Sequence, residues 1–240
     1  MKNCLILVTD KNYVKHIKSL IMQVRDIGGW DEDICVIFNN VNDSNIIKDF
    51  EIKGVIPFEV SFDNPFYAKY SIFNVFFKRW ENIIYMDADF VIKKNIKPLL
   101  KQVDNENMFL CDYENNNLDL CFTKNEEYDE LNNKYKIDKT RIFNSGCMVY
   151  NTDIIYEETF NRLVELSEKL KKINSHTGID GGTDQPILNI YFKDIVKQIK
   201  FISFHLKPKG GEVALHTCRW HAPWKDSRYL SHYTKYLNKW

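Results

Sequence analysis

Compact apolar runs alternate with helix-patterned segments through the first part of this chain, and that alternation most restricts its fold. Cys4-Leu5-Ile6-Leu7-Val8 reads as a strand, Tyr13 to Arg25 as a helix and Ile34-Cys35-Val36-Ile37-Phe38 as a second strand. A polar, Asn-rich helix over Asp43 to Lys53 leads to Val55-Ile56; an aromatic helix over Pro65 to Trp80 precedes another buried strand, Ile83-Ile84-Tyr85-Met86. Strands that are apolar without interruption are covered on both faces. The pattern therefore predicts an α/β fold with a mostly parallel, twisted sheet flanked by helices and a Rossmann-like N-terminal half. The length of 240 residues suits one domain. We expect that domain over residues 1–224, with 225–240 as an aromatic and basic C-terminal extension packed on it.

The remainder is patterned less clearly. Asn105 to Lys139 reads as strands plus a mobile polar loop, Gly146 to Tyr150 as a strand and Ile154 to Lys171 as an amphipathic helix. A Gly-rich turn (Gly178 to Gly182), a helix over Asp184 to Phe192 and short strands near Phe201 and Val213-Ala214-Leu215 follow.

Several function classes are disfavoured by composition. Lys plus Arg and Asp plus Glu both number 33, so no net field attracts nucleic acid. The apolar run Cys4 to Val8 ends at Thr9, Asp10 and Lys11, too short for a signal-peptide core or a membrane span, and the expectation is a cytoplasmic protein. Cys4, Cys35, Cys111, Cys121, Cys147 and Cys218 form no Cys-x-x-Cys and read as reduced core thiols. With His205, His221 and Cys218 near His216, a zinc site deserves a check, but the spacing matches no structural zinc site.

Open α/β sheets bind ligands beyond the carboxyl ends of their strands, which directs attention to the residues after Val8 and Met86. After Met86 comes Asp87-Ala88-Asp89. Carboxylates at i and i+2 of an extended chain point to one face and can share a hard cation such as Mn²⁺ or Mg²⁺. A solvated turn is the alternative for this segment by itself. Phe143-Asn144-Ser145-Gly146 reads either as a ligand-binding corner or as a tight turn opening a strand, with Gly146 relaxing the backbone. Asp184-Gln185-Pro186 is an ordinary helix start, Asp as N-cap and Pro in the first turn, and also a rigid platform for two polar groups. His216 closes an apolar strand.

Taken in order, Asp87-Ala88-Asp89, Asn144-Ser145-Gly146, Asp180 to Gln185, and His216 with Pro223-Trp224 resemble the motif series of the glycogenin-like family 8 glycosyltransferases. The resemblance runs from Thr9 to Trp224. It implies a GT-A fold and a retaining transfer of a hexose or N-acetylhexosamine from a UDP-sugar with Mn²⁺ or Mg²⁺. Asp87, Asp89 and His216 would hold the metal, and Thr9, Asp10 and Tyr13 the nucleotide. Lys69, Ala88, Asp112, Asn144, Ser145 and Gly146 would line the rest of the donor site, and Asp184 and Gln185 would flank the reacting sugar. The partners it implies are a nucleotide-sugar donor and a glycan or protein acceptor, with homodimerisation left open.

Two departures accompany this match. Family members carry Gly three and Lys six residues after the histidine, where this chain has Arg219 and Ala222; Arg219 or His221 would have to meet the diphosphate instead. Thr183 adds one residue before Asp184, which loosens the correspondence of Asp180. Two other functions compete. A UDP-sugar-binding protein with weak or no turnover would explain Ala222. A sugar nucleotidyltransferase would need a Gly-rich basic loop after the first strand, and Thr9-Asp10-Lys11-Asn12 is not one. The stripe Tyr229, Tyr233, Tyr236 and Trp240 reads as a packing face or an acceptor or partner face.

Overall fold

A computed structural model describes residues 2–173, 183–204, 206–217 and 221–240. The Gly178 to Gly182 turn, Asp180, His205, Cys218 and Arg219 lie outside the described residues.

The expected alternation is present. Strand β1 (Asn3–Thr9), helix α1 (Val14–Asp26), β2 (Asp33–Asn39), α2 (Ser44–Ile52), β3 (Val55–Val60), α3 (Pro65–Tyr70) and β4 (Asn82–Met86) open the chain. After them come β5 (Phe90–Ile92), β6 (Phe109–Asn117), α4 (Glu126–Tyr135), β7 (Arg141–Asn151), α5 (Thr159–Leu170) and α6 (Gln185–Phe192). The chain closes with β8 (Val196–Gln198), β9 (Ile202–Phe204), β10 (Ala214–His216) and α7 (Ser227–Leu237). The main sheet has the order β3-β2-β1-β4-β7-β6-β8, and a small sheet the order β5-β10-β9. Only β7 runs against its neighbours in the main sheet, because β4 and β6 both pair with it antiparallel while the other pairings are parallel.

Strand side chains alternate between two cores, as a sheet covered on both faces requires. Cys4, Ile6, Cys35, Ile37, Ile83 and Tyr85 face one cluster, shared with Phe73, Leu163, Ile187 and Phe192 from the α3–α5–α6 side. Leu5, Leu7, Ile34, Val36, Ile84 and Met86 face the other, shared with Ile17, Leu20, Val24 and Phe50 from α1 and α2. The five described cysteines are buried.

Several boundaries differ from the sequence reading. The aromatic helix stops at Tyr70 and continues as two 3-10 turns, Ser71–Phe73 and Val75–Arg79. Between them Asn74 is extended, and its side chain accepts a hydrogen bond from the Phe76 amide, so it ends one turn and caps the next. The helix expected from Ile154 begins at Thr159, after a short turn at Thr152–Ile154. The polar loop contains α4, which Asn125 caps by accepting from the Tyr128 amide and which Lys136, at φ 56°, ends in the left-handed region.

Beyond the small sheet, α7 docks on α1. Its Tyr233 carbonyl accepts from Ser19 Oγ at 2.9 Å, and its hydroxyl meets His16 Nδ1 at 2.8 Å. Trp240 donates to Asp49 and packs on Phe50. Tyr233 and Tyr236 are buried and Trp240 packs against the core, so three of the four residues of the C-terminal aromatic stripe are packing surface. Stacked on Trp224 with ring centroids 3.7 Å apart, His16 is held neutral. Burial, aided by Lys15 and Lys225, lowers its pKa to about 4.

An unfolded histidine takes up its proton near pH 6.5, so the unfolded state binds more protons than the native state between that pH and about 4. The stability this group contributes is complete above pH 6.5 and is lost as pH falls toward 4. Urea titrations of wild type and His16→Gln at pH 7.5 and 4.5 should differ in their pH dependence by about 2–3 kcal/mol, wild type losing more. Equal losses would show that His16 does not carry this sensitivity.

Candidate active site

The segment Asp87-Ala88-Asp89 crosses from the main sheet to the small one, and each end is fixed by backbone. The Asp87 amide donates to the Gly146 carbonyl at 2.8 Å, extending the β4–β7 ladder by one bond. The Asp89 carbonyl accepts from both the amide (3.1 Å) and the hydroxyl (2.5 Å) of Thr217, just beyond β10. Pairing of β10 with β5 sets His216 opposite Phe90, and the two rings stack at 4.8 Å with 2° between planes. One ligand atom from each of Asp87, Asp89 and His216 then lies within 4.8 Å of the others.

The donor set suits a divalent cation. Asp89 Oδ1 is buried and accepts no well-directed hydrogen bond, although His216 Nε2 is 3.3 Å away. Two acceptor-capable atoms at that spacing, with an orphaned lone pair between them, fit two ligands of one ion. Charge agrees with this. Asp87, Asp89 and Asp184 face the single ammonium of Lys69, which is 2.9 Å from Asp184 and 3.3 Å from Asp87. Burial raises the Asp87 pKa, Lys69 opposing and Asp89 and Asp184 adding to the rise. Burial also presses on Asp89, but His216 outweighs it and holds Asp89 below the usual carboxylate range. Burial disfavours the Lys69 cation, yet Asp184 and Asp87 outweigh it and keep the ammonium charged.

Gly146 has a different role from the one expected. It lies inside β7, not in a turn, and its φ is not positive. What matters is space: a Cβ there would sit 2.5 Å from His216 Cε1 and 2.9 Å from Asn144 Oδ1. Hydrogen secures the approach of the imidazole to the carboxylates.

Around this cluster the polar groups interlock. Ser145 Oγ accepts from Lys69 (3.2 Å) and donates to Asp184 (2.8 Å), and the Ser145 amide donates to Gln185 Oε1 at 3.0 Å. Asp184 occupies the N-cap position of α6 without capping it, because its carboxylate is turned to Lys69 and Ser145. Glu114, passed over in the sequence, accepts from Asn144 at 3.0 Å and from Gln185 at 3.1 Å. Its spacing of two from Asp112 on one strand was the available signal, the same one that singled out Asp87 and Asp89.

Two cavities meet at the cluster. The first, about 520 Å³, lies beyond the carboxyl ends of β1 and β4. It is lined by Thr9, Asp10, Tyr13, Lys69, Asp87, Ala88, Asp89 and Asp184, with Ala222, Trp224 and Lys225 on another wall. Asp10 also accepts from the Asn12 and Tyr13 amides, which shapes the entry to α1. The second cavity, about 390 Å³, holds Asp112, Asn144 and His216 together with Tyr113, Glu114 and Lys209. Asp112 therefore does not share the first cleft; its carboxylate accepts from Gln198 and Lys209, each at 2.7 Å. His221 is turned toward Asp226, 3.2 Å away, and does not line the first cleft.

The family model for glycosyl transferase family 8 matches residues 34–237. The chain belongs to that family. Its fold is that of the GT-A galactosyltransferase LgtC, solved with donor and acceptor sugar analogs: TM-score 0.70 at 16% identity, over 98% of this chain and 95% of that one. GlyE from Streptococcus pneumoniae TIGR4 is similar at TM-score 0.68 and 18% identity, over 100% of this chain and 63% of that one. The bifunctional glycosyltransferase WbbM matches at TM-score 0.69 and 16% identity, over 98% of this chain and 49% of its own length. No curated protein sequence matches the chain. Family and fold together support a glycosyltransferase. Among the described residues no helix is long and apolar enough to cross a membrane.

Gly146→Ala should move His216 off its position, since the added methyl has backbone on its own side and a stacked ring on the other. Overpacking of this kind costs about 1–3 kcal/mol. The expected outcome is a folded variant, destabilised by that amount in urea, with the His216 ring displaced in a crystal structure. An unmoved ring would show that the close approach is not a constraint.

Proposed function

We propose that the protein is a retaining glycosyltransferase that moves a hexose or N-acetylhexosamine from a UDP-sugar to a glycan or protein acceptor, dependent on Mn²⁺ or Mg²⁺. The observation that carries this reading is the Asp87–Asp89–His216 cluster at the junction of two cavities, one large enough for a nucleotide and one lined with polar groups that could hydrogen-bond sugar hydroxyls. Asp87, Asp89 and His216 would hold the cation, which when bound neutralises negative charge developing on a diphosphate leaving group.

The rest is work for the chain's own side chains. Thr9, Asp10 and Tyr13, at the end of β1 and the start of α1, stand where a nucleoside would lie against the sheet edge. Lys69, 2.9 Å away, holds Asp184 in place, and Ser145 ties that carboxylate to Gln185 on the first turn of α6. Both residues then flank the transferred sugar from a stiff support, with Glu114 holding the Gln185 amide. Asp112 and Asn144, in the second cavity, offer an acceptor oxygen and an amide to hydroxyl groups beyond the cluster. Residues 1–224 would form the catalytic body, and 225–240 would brace it through the docking of α7 on α1.

A second reading, binding without turnover, is favoured by one observation: Ala222 on the cleft wall brings no charge to the leaving group. A panel of UDP-sugars with Mn²⁺ separates the two, with UDP release, product anomeric configuration and intact mass as readouts. We expect turnover of at least one donor with retention of configuration. Asp87→Asn with Asp89→Asn should lower that turnover by about a thousandfold or more, as loss of several kcal/mol of charge stabilisation implies. Metal-dependent turnover that survives the double substitution would remove the cluster from the mechanism. UDP binding without turnover of any donor would favour the second reading.

A further inference from the structure

Tyr85 stands two residues before Asp87, near the end of β4, where strand geometry sends both side chains to the same face of the sheet. Its backbone is paired on both sides, with Ile6 of β1 and Met148 of β7. Its ring is buried in the core that the strands share with the α3–α5–α6 side. Packing alone would be served as well by phenylalanine, so the hydroxyl needs another explanation. That oxygen donates to Asp87 Oδ1. A buried phenol has one proton to place, and here it is placed on a carboxylate of the candidate cation site.

The grip on Asp87 is shared. Lys69 Nζ lies 3.3 Å from Asp87 Oδ2 and 5.2 Å from the centre of the Tyr85 ring, so an ammonium and a phenol hold the carboxylate together. The two donors differ in what they do when a divalent cation approaches. An ammonium repels it, whereas a phenol carries no charge. Lys69 has Asp184 at 2.9 Å and Ser145 at 3.2 Å to remain with. The bond from Tyr85 is compatible with an occupied site, because a carboxylate oxygen that accepts one hydrogen bond keeps a second lone pair for a metal.

We propose that Tyr85 is a positioning residue for the cation site: its hydroxyl fixes the Asp87 carboxylate before the ion arrives and keeps it fixed afterwards. This rests on the metal-dependent reading given above. It divides the work between the two aspartates. Asp89 leaves Oδ1 without a well-directed hydrogen bond, while Asp87 has both oxygens engaged and needs a partner that does not compete with the ion. Hydrogen-bond partners of this kind hold a metal ligand in its binding orientation, and their loss costs about 10–100-fold in metal affinity.

Mn²⁺ titrations of wild type, Tyr85→Phe and Tyr150→Phe, with and without UDP and followed by the electron paramagnetic resonance of the ion, test this. Tyr150 is the control: it is buried in the same core, and its hydroxyl donates to the Ile72 carbonyl at 2.8 Å, away from the carboxylates. Phenylalanine keeps the ring at either position. Each metal-free variant should lose about 2–6 °C of thermal midpoint, as the loss of one buried hydrogen bond implies for a chain of this size. Tyr85→Phe should bind Mn²⁺ about tenfold more weakly or worse, and Tyr150→Phe as tightly as wild type. Unchanged Mn²⁺ affinity in Tyr85→Phe, or an equal loss in Tyr150→Phe, would overturn the positioning role while leaving the cation site intact. Wild type that takes up no Mn²⁺ in either titration would overturn both.

Discussion

Everything in the candidate site depends on how one short segment is pinned between two sheets. The Asp87 amide is tied to Gly146 in the main sheet and the Asp89 carbonyl to Thr217 beside the small sheet, so the backbone that carries the two carboxylates is fixed at both ends. The small sheet brings in His216, and Gly146 gives it room. A site assembled this way needs little reorganisation when charge appears in it, which is the property that electrostatic catalysis requires. Because Asp87 also reaches Lys69, and Lys69 reaches Asp184, the same pins extend to the start of α6.

Such a cluster stands against stability. Three carboxylates and an imidazole in a largely buried volume repel or lose solvation, and burial opposes the charged form of Lys69 as well. The two apolar cores on either face of the sheet supply the rigidity that holds these groups together. An orphaned Asp89 oxygen in so well packed a body is a feature that a bound cation would complete.

Much of the frame was legible because strands buried on both faces must be apolar throughout, and Cys4 to Val8, Ile34 to Phe38 and Ile83 to Met86 obey that rule. The pair Asp87 and Asp89 was legible from strand geometry, and His216 only from its place in an ordered series. Position along the chain says little about side-chain space, so Gly146 read as a residue that relaxes the backbone when its lack of a Cβ is what counts. Helix α4 was masked by an Asn- and Lys-rich composition whose apolar face is only Tyr128 and Leu131. The separation of Asp112 from the first cleft depends on how β6 pairs with β7 and β8, a long-range register that no local pattern encodes.

The central claim is that Asp87, Asp89 and His216 form one cation site at the junction of the two cavities. Anomalous diffraction at the manganese edge, from crystals grown with Mn²⁺ and UDP, tests it most directly. The account predicts a single strong peak in contact with an oxygen of each aspartate and a ring nitrogen of His216. A peak that touches other residues, or no peak between these three side chains at saturating Mn²⁺, would contradict it.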